Sequence, residues 1–154
     1  MLWFLTVAAA APTFLTAEVE VDAPQPIVWE VLTDLEGYAQ WNPWITEAEG
    51  TAEVGAVVWA QVVLHGDTRR VKHKVTLIEG QDQFCWKDAG ASTLFVKGWR
   101  CRRLTPLPGG RTQVIVELGL AGPFKRTAIK RFGETIQQGM DAEVAALARA
   151  AESR

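Results

Sequence analysis

One histidine and one arginine carry most of the sequence's capacity for chemistry. The run VKHKVTLIE at 71–79 alternates in character, placing Val71, His73, Val75 and Leu77 on one side and Lys72, Lys74 and Thr76 on the other. His73 thus shares a face with apolar residues. An imidazole has the ordinary pKa nearest neutrality, so in a cavity it can act as general acid or base on an enolisable substrate; the same placement suits a core histidine satisfied by one neighbour. Arg100 lies in STLFVKGWRCRRLT at 92–105, on a face with Leu94, Val96, Gly98 and Arg102 and opposite Phe95, Lys97, Trp99, Cys101 and Arg103. Which face turns inward stays open, because Gly98 can mark a bulge that exchanges the two. Turned inward, Arg100 would hold a ligand carboxylate or phenolate through paired hydrogen bonds; turned outward, it is surface charge. His65, in HGDT, reads as a solvated turn residue.

Other chemistries are excluded by type and spacing. The chain has no G-x-S-x-G, no phosphate loop, no H-E-x-x-H and no dinucleotide fingerprint, so neither a metal nor a nucleotide cofactor is expected. Cys85 and Cys101 are too far apart for a CxxC site and lack a histidine at zinc-ligand spacing. If DAGAS joins two antiparallel strands, Cys85 lies opposite residues around 94 to 97, so both thiols are expected to be free. With 16 basic and 18 acidic residues the net charge is -2, which argues against nucleic acid as a partner.

The elements that must position these residues follow from periodicity. Residues 13–21 (TFLTAEVEV) alternate as a strand covered on one face, and DAPQP then supplies a turn and a helix start for IVWEVLTDL. A second short helical piece, EGYAQW, must stop at Asn42 because Pro43 follows. Strands are expected over 45–53, 56–64, 71–79, 83–88, 92–105 and 112–120, an antiparallel meander with its clearest turn at PLPGGRT. A long helix over 124–151 closes the chain, with Ile129, Phe132, Ile136, Met140, Val144, Leu147 and Ala151 on one stripe. Gly133 and Gly139 fall on or beside that stripe, and two readings stand open: close approach of helix to sheet, or room for a guest between them.

The length, 154 residues, fits one domain over 12–154 behind an apolar arm at 1–11, MLWFLTVAAAA. That arm is too short to span a bilayer and has no basic residue before its apolar run, so it is expected to pack on the body or on a second copy of the chain. A cytoplasmic setting is expected, with export the alternative if the arm is a signal segment.

The segment VEVDAPQPIVWEVLTDLEGYAQWNPWI at 19–45 resembles the N-terminal signature of the SRPBCC superfamily, the START and Bet v 1-like domains, and above all its polyketide cyclase/dehydrase-like members. The likeness extends over about residues 14 to 151 through the RRLTPLPGGRT hairpin and the final helix. It implies the α+β helix-grip fold: an antiparallel sheet of about seven strands curled round the C-terminal helix, with a hydrophobic cavity between. On that template the expected cavity wall takes Trp59 and Gln61 with Val57 and Val63, Trp86 with Phe84, Val116, Trp99, and Phe132, Ile136, Gly139 and Met140 of the helix. Trp41 either plugs one end or meets the ligand. The expected function is binding of a small, largely apolar or aromatic molecule. The alternatives are a cyclase/dehydratase with His73 as base and Arg100 as anchor, and an adaptor that meets a protein or membrane through the arm or the cavity mouth.

Overall fold

The computed structural model describes residues 11–154, so the apolar arm, apart from Ala11, lies outside the described residues. Strand β1 (Thr13–Val21) leads through the Pro24 turn to α1 (Gln25–Thr33), with a proline in its first turn, and then α2 (Tyr38–Trp41). Six strands follow: β2 (Ile45–Glu49), β3 (Val57–Leu64), β4 (Asp67–Glu79), β5 (Gln83–Asp88), β6 (Lys97–Leu107) and β7 (Arg111–Ala121). Helix α3 (Lys125–Glu152) ends the chain. The sheet order is β1-β7-β6-β5-β4-β3-β2, antiparallel throughout, so the meander continues from β2 to β7 and β1 closes onto β7. The curled sheet and the long helix together form the helix-grip fold.

Alternation along the strands defines the inner face. Ala17 and Val21, Val58 and Ala60, Phe84 and Trp86, and Val114 and Val116 are buried against the helix stripe of Met140, Val144 and Leu147. In β6 the buried residues are Gly98, Arg100, Arg102 and Leu104, with no exchange at Gly98. That settles the open question of the strand's orientation: both arginines point inward.

The irregularities have local causes. A bulge in β4 shifts the register between Val75 and Leu77, so Ile78 turns toward the core and Leu77 is pushed to the outer face, 38% exposed, away from His73 and Val75. Between β5 and β6, Gly90 adopts φ 106 and Thr93 caps it twice, through its amide and its hydroxyl, closing a 3-10 turn over Ala91–Leu94. This turn uses residues that the sequence pattern assigns to a strand. The register therefore slides, Cys85 pairs with Cys101 at a Cα separation of 4.1 Å, and the two form a disulfide on the outer face. The expectation of two free thiols is overturned, because it assumed a tight turn at DAGAS.

Among the described residues no helix is long and apolar enough to cross a membrane.

Candidate functional site

The inward pair Arg100 and Arg102 would be untenable in an apolar core without a counter-charge. Glu143 of α3 supplies it: its Oε1 accepts from Arg102 Nη2 at 3.1 Å, and its Oε2 lies 3.9 Å from Arg100 Nη1. Glu143 also accepts from Asn42 Nδ2 at 2.9 Å, while Asn42 Oδ1 takes the amides of Trp44 and Ile45 at 3.0 and 2.9 Å. The Asn-Pro helix stop is thus also a bracket, fixing the α2–β2 corner to the long helix. Aromatic faces complete the shell, with Arg100 4.1 Å above the Trp44 ring and Arg102 4.4 Å above Trp86. Tyr38 is buried with its hydroxyl donated to the Leu32 carbonyl at 2.6 Å, and burial drives its pKa well above the usual phenol value.

His73 adjoins this cluster. Its ring stacks on Trp86 with centroids 4.8 Å apart, and Nε2 lies 3.3 Å from Asp88 Oδ1. Asp88 is the register partner of His73 on β5, and the third member of that row is Gly98 on β6, where a Cβ would overlap the Asp88 carboxylate. A glycine is therefore required at 98 for Asp88 to reach the imidazole. With Asp88 accepting from Nε2, the Nδ1 lone pair is left free, and no protein group bonds to it.

Charge and hydrogen bonding are both incomplete at the centre. Two buried guanidinium groups face one buried carboxylate, and the part-exposed Asp88 is a further negative group felt by Arg100. Arg100 Nε and Nη1, Arg102 Nε and Nη1, Trp44 Nε1 and Glu143 Oε2 make no hydrogen bond within the protein, whereas buried polar groups are nearly always paired. Burial lowers the Arg100 pKa to about 10, so it stays protonated at neutral pH. Burial alone would raise the Glu143 carboxyl, but Arg102, Arg100 and the hydrogen bonds from Asn42 and Arg102 outweigh it and hold the pKa below its usual value. His73 is lowered, chiefly by loss of water, against the opposing pull of Asp88.

The sign of the His73 effect gives a test. A base whose folded pKa is depressed binds its proton more readily when unfolded, so its contribution is complete above the ordinary 6.5 and is lost as pH falls below it. Urea unfolding between pH 7.5 and 5.5 should show stability decreasing with acidity, about as expected for one buried neutral histidine. His73→Gln should flatten that dependence; an unchanged slope in the variant would remove His73 from the account.

The structure separates the expected site residues. His73, Arg100, Trp86, Val116 and Met140 are buried on the inner face. Ile136 is half-buried against the same core. Trp59 and Gln61, together with Val57, belong instead to the outer face of β3, whose buried side is Val58, Ala60 and Val62, while Val63 is partly buried against the core; Trp59 lies under Arg70 at 4.6 Å. Trp99 is also on the outer face, edge-on to Phe14 and lying over Gly119. For these residues the inner-wall expectation is overturned, because alternation fixes the period of a strand and not its phase. Trp41 packs on Tyr38 and borders a shallow depression of about 440 Å³ near the end of α3, lined by Ala146 and Arg149 and not by the arginine cluster. Phe132 packs on His65 and Arg69 at the β3–β4 hairpin, where His65 Nε2 meets the Arg131 carbonyl at 2.8 Å, so His65 is tied to α3 as well as exposed.

The two helix glycines part company. A Cβ at Gly139 would overlap the Trp44 ring, so that glycine serves close packing and no guest space lies beneath it. At buried Gly133 a Cβ would meet only Ile129 Cγ2 of its own helix, at 3.5 Å. A methyl group, and no more than that, is accommodated there in ordinary contact.

Sequence reasoning missed Glu143, Asn42, Trp44 and Asp88 as members of the site. Glu143 had a signal, since it falls among Met140, Val144 and Leu147 on the apolar stripe, where a carboxylate needs a buried partner. Asp88 had none, because its pairing with His73 depends on register.

Residues 13–152 match the family described as polyketide cyclase / dehydrase and lipid transport. No curated protein matches the chain significantly. Among solved structures, the Zhui aromatase/cyclase from Streptomyces sp. R1128 is similar at 22% identity and TM-score 0.79, over 94% of this chain and 96% of that one. A norcoclaurine synthase point mutant from Thalictrum flavum, in complex with a transition-state analogue, aligns at 14% identity and TM-score 0.72, over 96% and 98%. A START superfamily protein from Mycobacterium smegmatis aligns at 21% identity and TM-score 0.68, over 92% and 95%. At these identities the likeness is one of fold.

Proposed function

The chain belongs to the polyketide cyclase/dehydrase and lipid transport family, and on that premise we propose that it binds a small hydrophobic molecule bearing an acidic group, held between sheet and helix with the acid on Arg100. The family and the helix-grip fold support hydrophobic-ligand binding or a cyclase activity. The observation that carries the acidic group is the buried Arg100 guanidinium, whose Nε and Nη1 make no hydrogen bond and whose carboxylate, Glu143, is shared with Arg102. A carboxylate or phenolate supplies both the charge and the acceptors.

Two dyes test this reading. The anionic probe 1-anilinonaphthalene-8-sulfonate should bind the wild type, and Arg100→Met should weaken it by about 10- to 100-fold, the scale of a hydrogen bond to a charged group. Nile red, which is neutral, should bind both proteins alike. Equal loss of both dyes, or of neither, would count against an acid anchor at Arg100.

A second reading is favoured by His73. Its free Nδ1, its neutral form at physiological pH and its orientation by Asp88 suit a base that removes a proton next to a carbonyl, with Arg100 stabilising the enolate. This is the cyclase/dehydratase alternative, with binding and catalysis using the same space. As to setting, the Cys85–Cys101 bond supports the exported alternative over the cytoplasmic one, since disulfides persist in oxidising compartments. A second copy docking through residues 1–11 is an expectation on which the described residues do not bear.

A further inference from the structure

The end of the molecule where α3 begins presents three large apolar side chains to solvent: Leu94 is 72% exposed, Phe95 55% and Phe124 52%. They come from two loops latched together. The Phe124 amide donates to the Phe95 carbonyl at 3.1 Å, and the two rings lie 5.6 Å apart. Between the loops is a surface hollow of about 530 Å³, bordered by Leu94, Lys97, Pro123 and Arg126. Lys130 stands exposed one turn after Arg126 on the same helix face. Residues 89–116 and 118–133 contain no Asp or Glu, so nothing acidic in these segments offsets the cations.

We propose that this tip docks on the surface of an anionic phospholipid bilayer. Leu94, Phe95 and Phe124 carry no hydrogen-bonding side-chain group with which to read a partner's polar pattern. Their chemistry asks only for an apolar layer, and Lys97, Arg126 and Lys130 ask for negative charge just above it. A bilayer interface with acidic headgroups provides both at the matching depths. The carboxylates nearest these cations are Glu117 beside Arg103, Asp88 bonded to His73, and Glu134 one turn beyond Lys130, whereas the hollow itself is bordered by Lys97 and Arg126 and by no acidic residue. The position also has a use. The buried pair of Arg100 and Glu143 lies between the sheet and α3, whose first turn is at the tip. Docking would set that end of the grip against a source of apolar ligand.

Sedimentation of the full-length protein with vesicles tests the proposal, using phosphatidylcholine alone and phosphatidylcholine with added phosphatidylserine. Binding should be much stronger to the anionic vesicles. Arg126→Glu with Lys130→Glu should weaken it by at least about tenfold, as each cation at such a surface is worth roughly fivefold. Phe95→Ser with Phe124→Ser should remove most of the remainder. All four positions are exposed, and matching thermal unfolding curves would confirm that the variants fold. Arg111→Glu with Arg149→Glu, exposed at the β6–β7 hairpin and near the C-terminal end of α3, far from the tip, should leave binding unchanged. Equal binding to both vesicle types, or binding kept by both tip variants, would overturn the proposal and move any membrane contact to another part of the chain. So would a dimer that the Phe95→Ser, Phe124→Ser variant dissolves, since the tip would then belong to a second copy.

Discussion

Glu143→Ala should destabilise the protein by about 3–5 kcal/mol, the usual consequence of removing one partner from a buried ion pair. Two buried guanidiniums would lose their shared carboxylate, and Asn42 would lose the acceptor for its amide. Urea unfolding at neutral pH measures the loss. Glu143→Gln should cost less, because it keeps an acceptor for Asn42 and Arg102 while losing the charge. Adding Arg102→Met to Glu143→Ala should recover part of the stability, since apolar replacement of a buried pair is often neutral. The pH dependence has a definite sign. Glu143 has a folded pKa below its ordinary 4.5, so its contribution is complete above that value and is lost as pH falls below it. A loss under about 1 kcal/mol in Glu143→Ala would mean that the arginines find water or another acceptor, and the cluster would not be the closed unit described.

Reduction of the Cys85–Cys101 disulfide should lower stability by about 3 kcal/mol, as expected for closing a loop of some 15 residues in the unfolded chain. Cys101→Ser should do the same without reductant. The bond lies on the outer face of the sheet, so dye binding at Arg100 should survive its loss, which separates this variant from any in the interior cluster. Denaturant curves that coincide with and without reductant, together with two titratable thiols in the folded protein, would show the cysteines to be paired in register yet unbonded.

The fold was legible because its signals are local. The alternation of 13–21, the proline-marked helix start, the Asn42-Pro43 stop and the Gly109-Gly110 hairpin, where both glycines adopt positive φ, all describe short stretches of chain. The site was legible only in part. His73 could be placed with apolar residues from its own strand, but its partner Asp88 depends on which residues of β5 come alongside. Register was also what hid the disulfide. The 3-10 turn at 91–94 takes up chain that a tight hairpin would leave in the ladder, and composition does not show how much a loop takes up. Phase was the third gap. Trp59 and Trp99 alternate as a wall residue must, but on the wrong side, and only the identity of the apolar side of each strand decides that. For β3 that identity was readable in Val58, Ala60 and Val62, though a tryptophan drew attention away from them.

The unequal count of charges around Glu143 bears on how this protein can evolve. An interior in which two buried guanidinium groups share one buried carboxylate is less stable than it could be, so the residue best suited to retain an acidic ligand is also the one the empty fold would be better without. Arg102 is not in that position, since Glu143 and Asn42 already form a bonded set with it. A lineage that gave up its ligand would then be expected to replace Arg100 first with an aliphatic residue of similar length, keeping Arg102, Glu143 and Asn42 as scaffold. Among descendants, the side chain at position 100 would record whether the interior is still selected for what it holds.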